Sequence, residues 1–293
     1  MNKHKFPFKL IIALISMIAA ASIALNIYLL FWESKSYLET PEQIYIMESG
    51  ILKNSLEFAD GENIEFQYIF DNSEYTQLLS EYNISEIAGE GTEFEKALNL
   101  MHEFAPRLRH ESNYDNHIEM NALSLLEYSL DNKDQGINCR NKAQILNEMC
   151  LALGIYSRKV WIMPNSGYDN DCHVVNEVWD SSLNKWVMLD ITNNQYWADE
   201  NGTPLSVIEI RRKGALQEFC TPVASGDETS NLGGLKEKNM SEFLYIMKNM
   251  VYMQYLDVYT VGENGNVYIL VPENMATDYE YIISESACFS SPY

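Results

Sequence analysis

Basic residues are scarce in this chain. It has 20 Lys and Arg against 42 Asp and Glu, a formal net charge of −22 over 293 residues. Duplex nucleic acid is excluded as an expected partner, because phosphate binding draws on a basic footprint. There is no Gly-rich phosphate motif and no Cys-x-x-Cys pair, so no cofactor and no metal are expected. There is also no internal repeat and no long linker. Apolar residues are not lacking. At 46% hydrophobic and 12% aromatic the chain can bury a core, which excludes an intrinsically disordered protein.

Charge is absent over residues 10–32, a run of 23 residues. A helix there is about 35 Å long at 1.5 Å per residue, against a hydrocarbon core of about 30 Å. Lys3, Lys5 and Lys9 precede it; Tyr28, Phe31 and Trp32 close it, and Glu33, Lys35, Glu39 and Glu42 follow as a net negative flank. Positive flanks stay in the cytoplasm and aromatic rings favour the interface. The expectation is a single-pass anchor in the cell membrane, with the N-terminus cytoplasmic and residues 33–293 extracellular. A signal peptide cleaved after Ala19-Ala20-Ala21 competes with this, but it would leave the apolar stretch 23–32 exposed to water.

The remainder reads as helices followed by strands. Thr40-Pro41-Glu42-Gln43 starts a helix, Thr92-Glu93-Phe94-Glu95 is a capping box before a helix that Pro106 ends, and Asn121 opens another. Asn138 caps a helix that Gly154 closes. Strands are expected over 63–70, 155–163, 171–179, 185–190, 253–261, 266–272 and 279–283, helices over 205–213 and 241–250, and a loop over 224–234. Arg211-Arg212-Lys213 reads as a solvated helix end. The class is α+β, with N-terminal helices packed on a mostly antiparallel sheet. The expected domains are 1–35 as stub and anchor, 36–91 as a helical and strand region, 92–215 as the core, and 216–293 as a helix and strands completing the sheet.

Three residues stand out by position. Cys139 occupies the first turn of a capped helix, where unpaired N–H groups and the helix dipole favour a thiolate. It also heads the apolar stripe Cys139, Ala143, Leu146, Cys150, Leu153, so the thiol faces the strands. His173 lies on the middle strand of the expected sheet. Asp190 ends the next strand, and a hairpin through 181–185 can bring it beside His173. Each taken alone has a plainer reading: a core thiol, a structural histidine, a turn carboxylate. Together they have the composition of a thiol triad of nucleophile, base and orienting carboxylate.

Gly136-Ile137-Asn138-Cys139 with Ala143, then Leu153-Gly154-Ile155 and Ser157-Arg158-Lys159-Val160, resembles the nucleophile helix and first strand of the transglutaminase-like superfamily. Cys172 to Val178 resembles its histidine strand and Lys185 to Thr192 its aspartate strand. The resemblance implies a papain-like α+β fold and a Cys139–His173–Asp190 triad acting on amide carbonyls of a peptide or protein substrate. The activity implied is that of a cysteine peptidase or of an acyltransferase. A non-catalytic binding module of the same fold is the alternative. Two positions depart from the family pattern: Val175 stands where an aromatic is usual and Ile191 where Pro is usual. The family's upstream aromatic oxyanion donor has no counterpart, since no Trp occurs between Trp32 and Trp161. Gln135, Tyr114 and His117 are the candidates in its place, and His102 and His110 are assigned to helix surfaces. Cys172 is expected to point away from the site, because it neighbours His173 on a strand.

Overall fold

A computed structural model describes residues 8–33, 41–131, 134–166, 169, 171–224 and 237–293. The chain divides into two compact units, Met1–Ile44 and Tyr45–Tyr293.

The first unit contains α1 (Phe8–Glu33). Its stretch Ile12–Leu29 has a mean hydropathy of 2.1 and none of it is buried. Such a helix satisfies its backbone internally and carries no charged side chain over this stretch, so it is long and apolar enough to cross a membrane. The side chains of Lys3, Lys5, Lys9, Phe31 and Trp32 lie outside the described residues, as does Thr40.

The elements that follow are α2 (Pro41–Asn54), β1 (Gln67–Tyr68), α3 (Ser73–Glu81), α4 (Ile84–Ala88), α5 (Glu93–Phe104), α6 (Ala122–Asp131) and α7 (Cys139–Ala152). Then come β2 (Ser157–Met163), β3 (His173–Asp180), β4 (Lys185–Asp190), β5 (Gln195–Ala198), α8 (Val207–Leu216) and β6 (Thr221–Ala224). The chain ends with α9 (Glu237–Lys248), β7 (Tyr252–Leu256), β8 (Val258–Tyr259), β9 (Val267–Leu270) and α10 (Glu285–Phe289). Local chemistry sets the helix starts. Thr92 with Glu95, Asn138 with Asn141 and Ser206 with Glu209 form reciprocal capping boxes. Such a cap contributes about 1 kcal/mol. Gly154 takes φ 75° past the end of α7, a conformation that favours glycine.

Seven strands form one sheet in the order β6-β5-β4-β3-β2-β7-β9, every neighbouring pair antiparallel. The α+β expectation therefore holds. β3 is buried along its whole length because both faces are covered. On one face Val178, Val187 and Leu189 join Leu100, Phe104, Leu146 and Met149 from α5 and α7 in a single core. On the other, Val160, Ile162, Val175 and Met188 pack with Trp197, with Val207 and Ile208 of α8, and with Phe243 and Met247 of α9. The second layer was not anticipated from the sequence. It also encloses the Arg158–Glu177 ion pair, 2.6 Å long, with the guanidinium 4.0 Å above the Trp186 ring. The free oxygen of Glu177 accepts the Val207 N–H at 2.9 Å, fixing the first turn of α8 to the sheet.

Several expectations need correction. Only Gln67–Tyr68 of the strand expected over 63–70 is paired, in parallel with β8. The alternation survives as half-buried Ile64, Phe66, Tyr68 and Phe70, so it reports one-sided packing on the body, not a ladder. The segment 253–261 splits at Asp257, whose carboxylate is bound by the Asn266 N–H and side-chain amide. Residues 279–283 make isolated bridges only, Ile282 to Ile269 and Glu62 to Ile283. Arg211 is not solvated: it is fully buried, donating to the carbonyls of Met250, Leu56 and Ser55. The edge strand β6 was missed because Pro222 argues against a strand interior; an edge tolerates it. Of the loop expected over 224–234, residues 225–234 lie outside the described residues.

Candidate active site

Cys139 is the first residue of α7, directly after its cap. Asn138 Oδ1 accepts the Asn141 N–H at 3.2 Å and Asn141 Oδ1 accepts the Asn138 N–H at 3.1 Å. Asn116 Oδ1 accepts both side-chain amides at 3.1 Å, so the helix start is tied to the preceding loop as well. Further along, Asn176 Nδ2 donates to the Ala143 carbonyl at 2.9 Å and pins α7 to β3. The nucleophile candidate is thus held on a rigid element at both the cap and the sheet.

His173 begins β3 and Asp190 ends β4; the two strands pair in the register Asn176 to Leu189. Strand alternation puts His173, Val175 and Asp190 on one face. His173 Nε2 lies 3.0 Å from Asp190 Oδ2, and both residues are buried. Asp190 also accepts the N–H groups of Thr192 at 3.1 Å and Asn193 at 3.3 Å, and the Asn193 side-chain amide at 2.8 Å. Burial alone would push its carboxyl up; His173 and Asn193 outweigh this and hold it below the usual carboxylate range. For His173, burial opposes the charge, but Asp190 and the hydrogen-bonded Cys139 prevail and raise its pKa. With Nε2 on Asp190, the other ring nitrogen, Nδ1, serves Cys139. Burial resists the Cys139 thiolate too. The hydrogen bond and charge of His173, with the Val174 N–H, outweigh it and lower the thiol pKa. The three residues expected from the sequence therefore meet, in the order thiol, imidazole, carboxylate.

Cys139 and His173 open on a cavity of about 310 Å³, with Asp190 buried behind the imidazole. His110, Trp161 and Tyr245 contribute to its wall. The Tyr245 ring stands edge-on to His173 at 5.5 Å, while its hydroxyl donates to Asp171 at 3.1 Å. Lys248 joins Asp169 at 2.8 Å and Asp171 at 3.2 Å, so α9 is clasped to the segment before β3. Arg140, next to the thiol, is held by both carboxylate oxygens of Glu263, which also pairs with buried Lys159. Lys142 is buried one turn into α7; burial lowers its pKa to about 8 against the pull of Asp190 and Cys139.

Residues 81–191 match the family model described as transglutaminase-like superfamily. This segment is a transglutaminase-like domain. The matched segment includes Cys139, His173 and Asp190. Trp161 also lies within it, whereas Tyr245 and Lys248 come from outside. No curated protein and no solved structure matches the chain.

The cavity corrects two readings. Gln135 and His117 line a separate surface depression, and the Tyr114 hydroxyl accepts the Ile118 N–H at 3.1 Å. His110 is the side chain on the cavity instead; it bridges to Ile137 and belongs to no helix. Burial, then the charges of Lys142 and His173, lower its pKa, which keeps a neutral imidazole there. Cys172 also lines the cavity. The β2–β3 ladder ends at Ile162 paired with His173, so Cys172 precedes the strand and the alternation rule does not apply to it.

Proposed function

We propose that the chain is a membrane-anchored thiol enzyme attacking amide carbonyls of peptides or proteins, with Cys139 as nucleophile, His173 as base and Asp190 as orienting carboxylate. The observation carrying this reading is the file of three side chains: Asp190 Oδ2 3.0 Å from His173 Nε2, and the imidazole bonded on its other side to Cys139. The thiolate adds to the carbonyl carbon. The oxyanion takes the Cys139 N–H at the helix start. A neutral His110 on the same cavity supplies a second N–H. His173 passes its proton to the leaving nitrogen, the C–N bond breaks, and a thioester on Cys139 remains. Water resolves it in a cysteine peptidase; a primary amine resolves it in an acyltransferase. The experiment is a glutamine-containing protein incubated with the enzyme, with and without a labelled amine. Incorporation assigns transfer, new N-termini assign proteolysis, and neither product on a panel of such proteins refutes the reading.

The lysines before residue 10 and the acidic flank after residue 32 support a cytoplasmic N-terminus and an extracellular catalytic unit. Protease added to intact cells then degrades the catalytic unit and spares a short stub. Full protection, with no outer barrier in the way, refutes this topology.

A further inference from the structure

Five cysteines are free, and three of them, Cys150, Cys220 and Cys288, are buried. The other two, Cys139 and Cys172, are half-buried and open on the same cavity of about 310 Å³. The Cys139 sulfur accepts the Val174 N–H and the His173 imidazole. Cys172 directly precedes His173 in the chain, and its thiol lies near enough to Cys139 to feel its charge across the shared cavity. Cys172 also lies outside the strand ladder, which ends at His173. Its backbone is therefore free of the pairing that would resist the small adjustment a disulfide requires.

We propose that Cys139 and Cys172 form a redox modification site, in which a peroxide oxidises the Cys139 thiolate and Cys172 resolves the product as a disulfide. The inference rests on the reading of Cys139 as the activated thiol. In the first step the thiolate attacks one peroxide oxygen: the S–O bond forms, the O–O bond breaks, and the departing hydroxide takes a proton to leave as water. Sulfur is oxidised by two electrons and peroxide is reduced by two. In the second step the Cys172 sulfur attacks the sulfenic sulfur: the S–S bond forms, the S–OH bond breaks, and the Cys172 proton leaves with it as water. An external thiol reverses the sequence by exchange.

The electrostatics order these steps. Burial, then the charge of Cys139 and of Asp171, raises the Cys172 pKa, so Cys172 is a poor first target while Cys139 is ionised. Sulfenic acid is neutral, so oxidation of Cys139 removes one of the charges that disfavours a Cys172 thiolate. The first reaction thus prepares the second. The role of Cys172 is protective: without it Cys139 proceeds to the irreversible sulfinic acid.

The test uses the full chain in detergent, treated with hydrogen peroxide, quenched with an alkylating agent and mapped by mass spectrometry without reduction. The expected product is a peptide pair linked through Cys139 and Cys172, which dithiothreitol returns to free thiols. In Cys172→Ala, and in Cys172→Ser as a second variant, Cys139 is trapped by dimedone and then accumulates as sulfinic acid that dithiothreitol does not reverse. Circular dichroism verifies the folded state of each. Sulfenic Cys139 with no linked pair, and equal over-oxidation in wild type and variants, overturns the proposal but leaves the activated thiol intact. Links between separate chains only also overturn it. No oxidation at Cys139 while another cysteine reacts overturns both the proposal and the activated-thiol reading.

Discussion

Replacing Asp190 by Asn is nearly isosteric, and the surroundings of that side chain determine how the amide must sit. Oδ1 of Asp190 accepts the N–H groups of Thr192 and Asn193, while Oδ2 accepts the Asn193 amide and faces His173 Nε2. An Asn that keeps its oxygen on the two backbone donors must turn its NH₂ toward Asn193 Nδ2 and His173 Nε2. One contact becomes donor against donor. The other makes Nε2 an acceptor, which places the ring proton on Nδ1, the nitrogen that must take the proton of Cys139. The base is then in the wrong tautomer. A triad carboxylate changed to its amide lowers turnover about 10⁴-fold, equivalent to about 5.4 kcal/mol of activation free energy. The unfavourable Asn193 contact costs stability about 1–3 kcal/mol. Asp190→Asn is therefore expected to cut kcat by orders of magnitude while KM stays near wild type and the protein remains folded. The assay is steady-state turnover on a substrate verified with the wild type, alongside urea unfolding. Turnover within a few-fold of wild type removes Asp190 from the mechanism. A loss explained wholly by unfolding refutes the tautomer argument.

A sub-stoichiometric dose of iodoacetamide at pH 6 is expected to label Cys139 before the other cysteines, and His173→Ala to slow that labelling; peptide mapping checks it, and first labelling of Cys150, Cys220 or Cys288 contradicts it. His173 has a folded pKa raised to about 10 by Asp190 and Cys139. Its contribution to stability is complete below the unfolded value of about 6.5 and is lost as pH climbs from there through the folded value. Urea titrations between pH 6 and 10 are expected to show that decline in wild type and a weaker one in Asp190→Asn; parallel curves contradict it. Tyr245→Ala removes the ring that holds the imidazole edge-on and is expected to lower kcat on the order of 10²-fold, whereas Tyr245→Phe keeps the ring and stays near wild type. Equal losses in the two variants would assign the effect to the hydroxyl on Asp171 instead.

Much of the fold was legible because the deciding forces act within a few residues. The capping boxes at Thr92 and Asn138 and the left-handed glycine at 154 involve groups no more than a turn apart, and the structure places them where the sequence reading did. The limits of β4 follow from its own apolar pattern and the turn before it. Alternation failed where it was taken to mean pairing. The stretch 63–70 keeps one apolar side against the body but finds strand partners only at Gln67 and Tyr68. The buried Arg211 was read as solvated because its three carbonyl acceptors come from Ser55, Leu56 and Met250, distant in the chain.

The sequence by itself determined the apolar N-terminal helix, the α+β class, and the order and spacing of Cys139, His173 and Asp190. Each of these depends on periodicity, caps and turns that a short window contains. Only the tertiary structure decided what surrounds those three residues. Pairing of β7 with β2 carries the C-terminal segment back to the sheet, and α9 packs on the covered face. Tyr245 thereby reaches Asp171, 74 residues away in the chain, and the histidine beside it. His110 and Cys172 join the cavity because a single bridge and a strand end happen to place them there. A side chain's neighbours across the sheet follow from topology and register, and no local pattern around Tyr245, His110 or Cys172 encodes either.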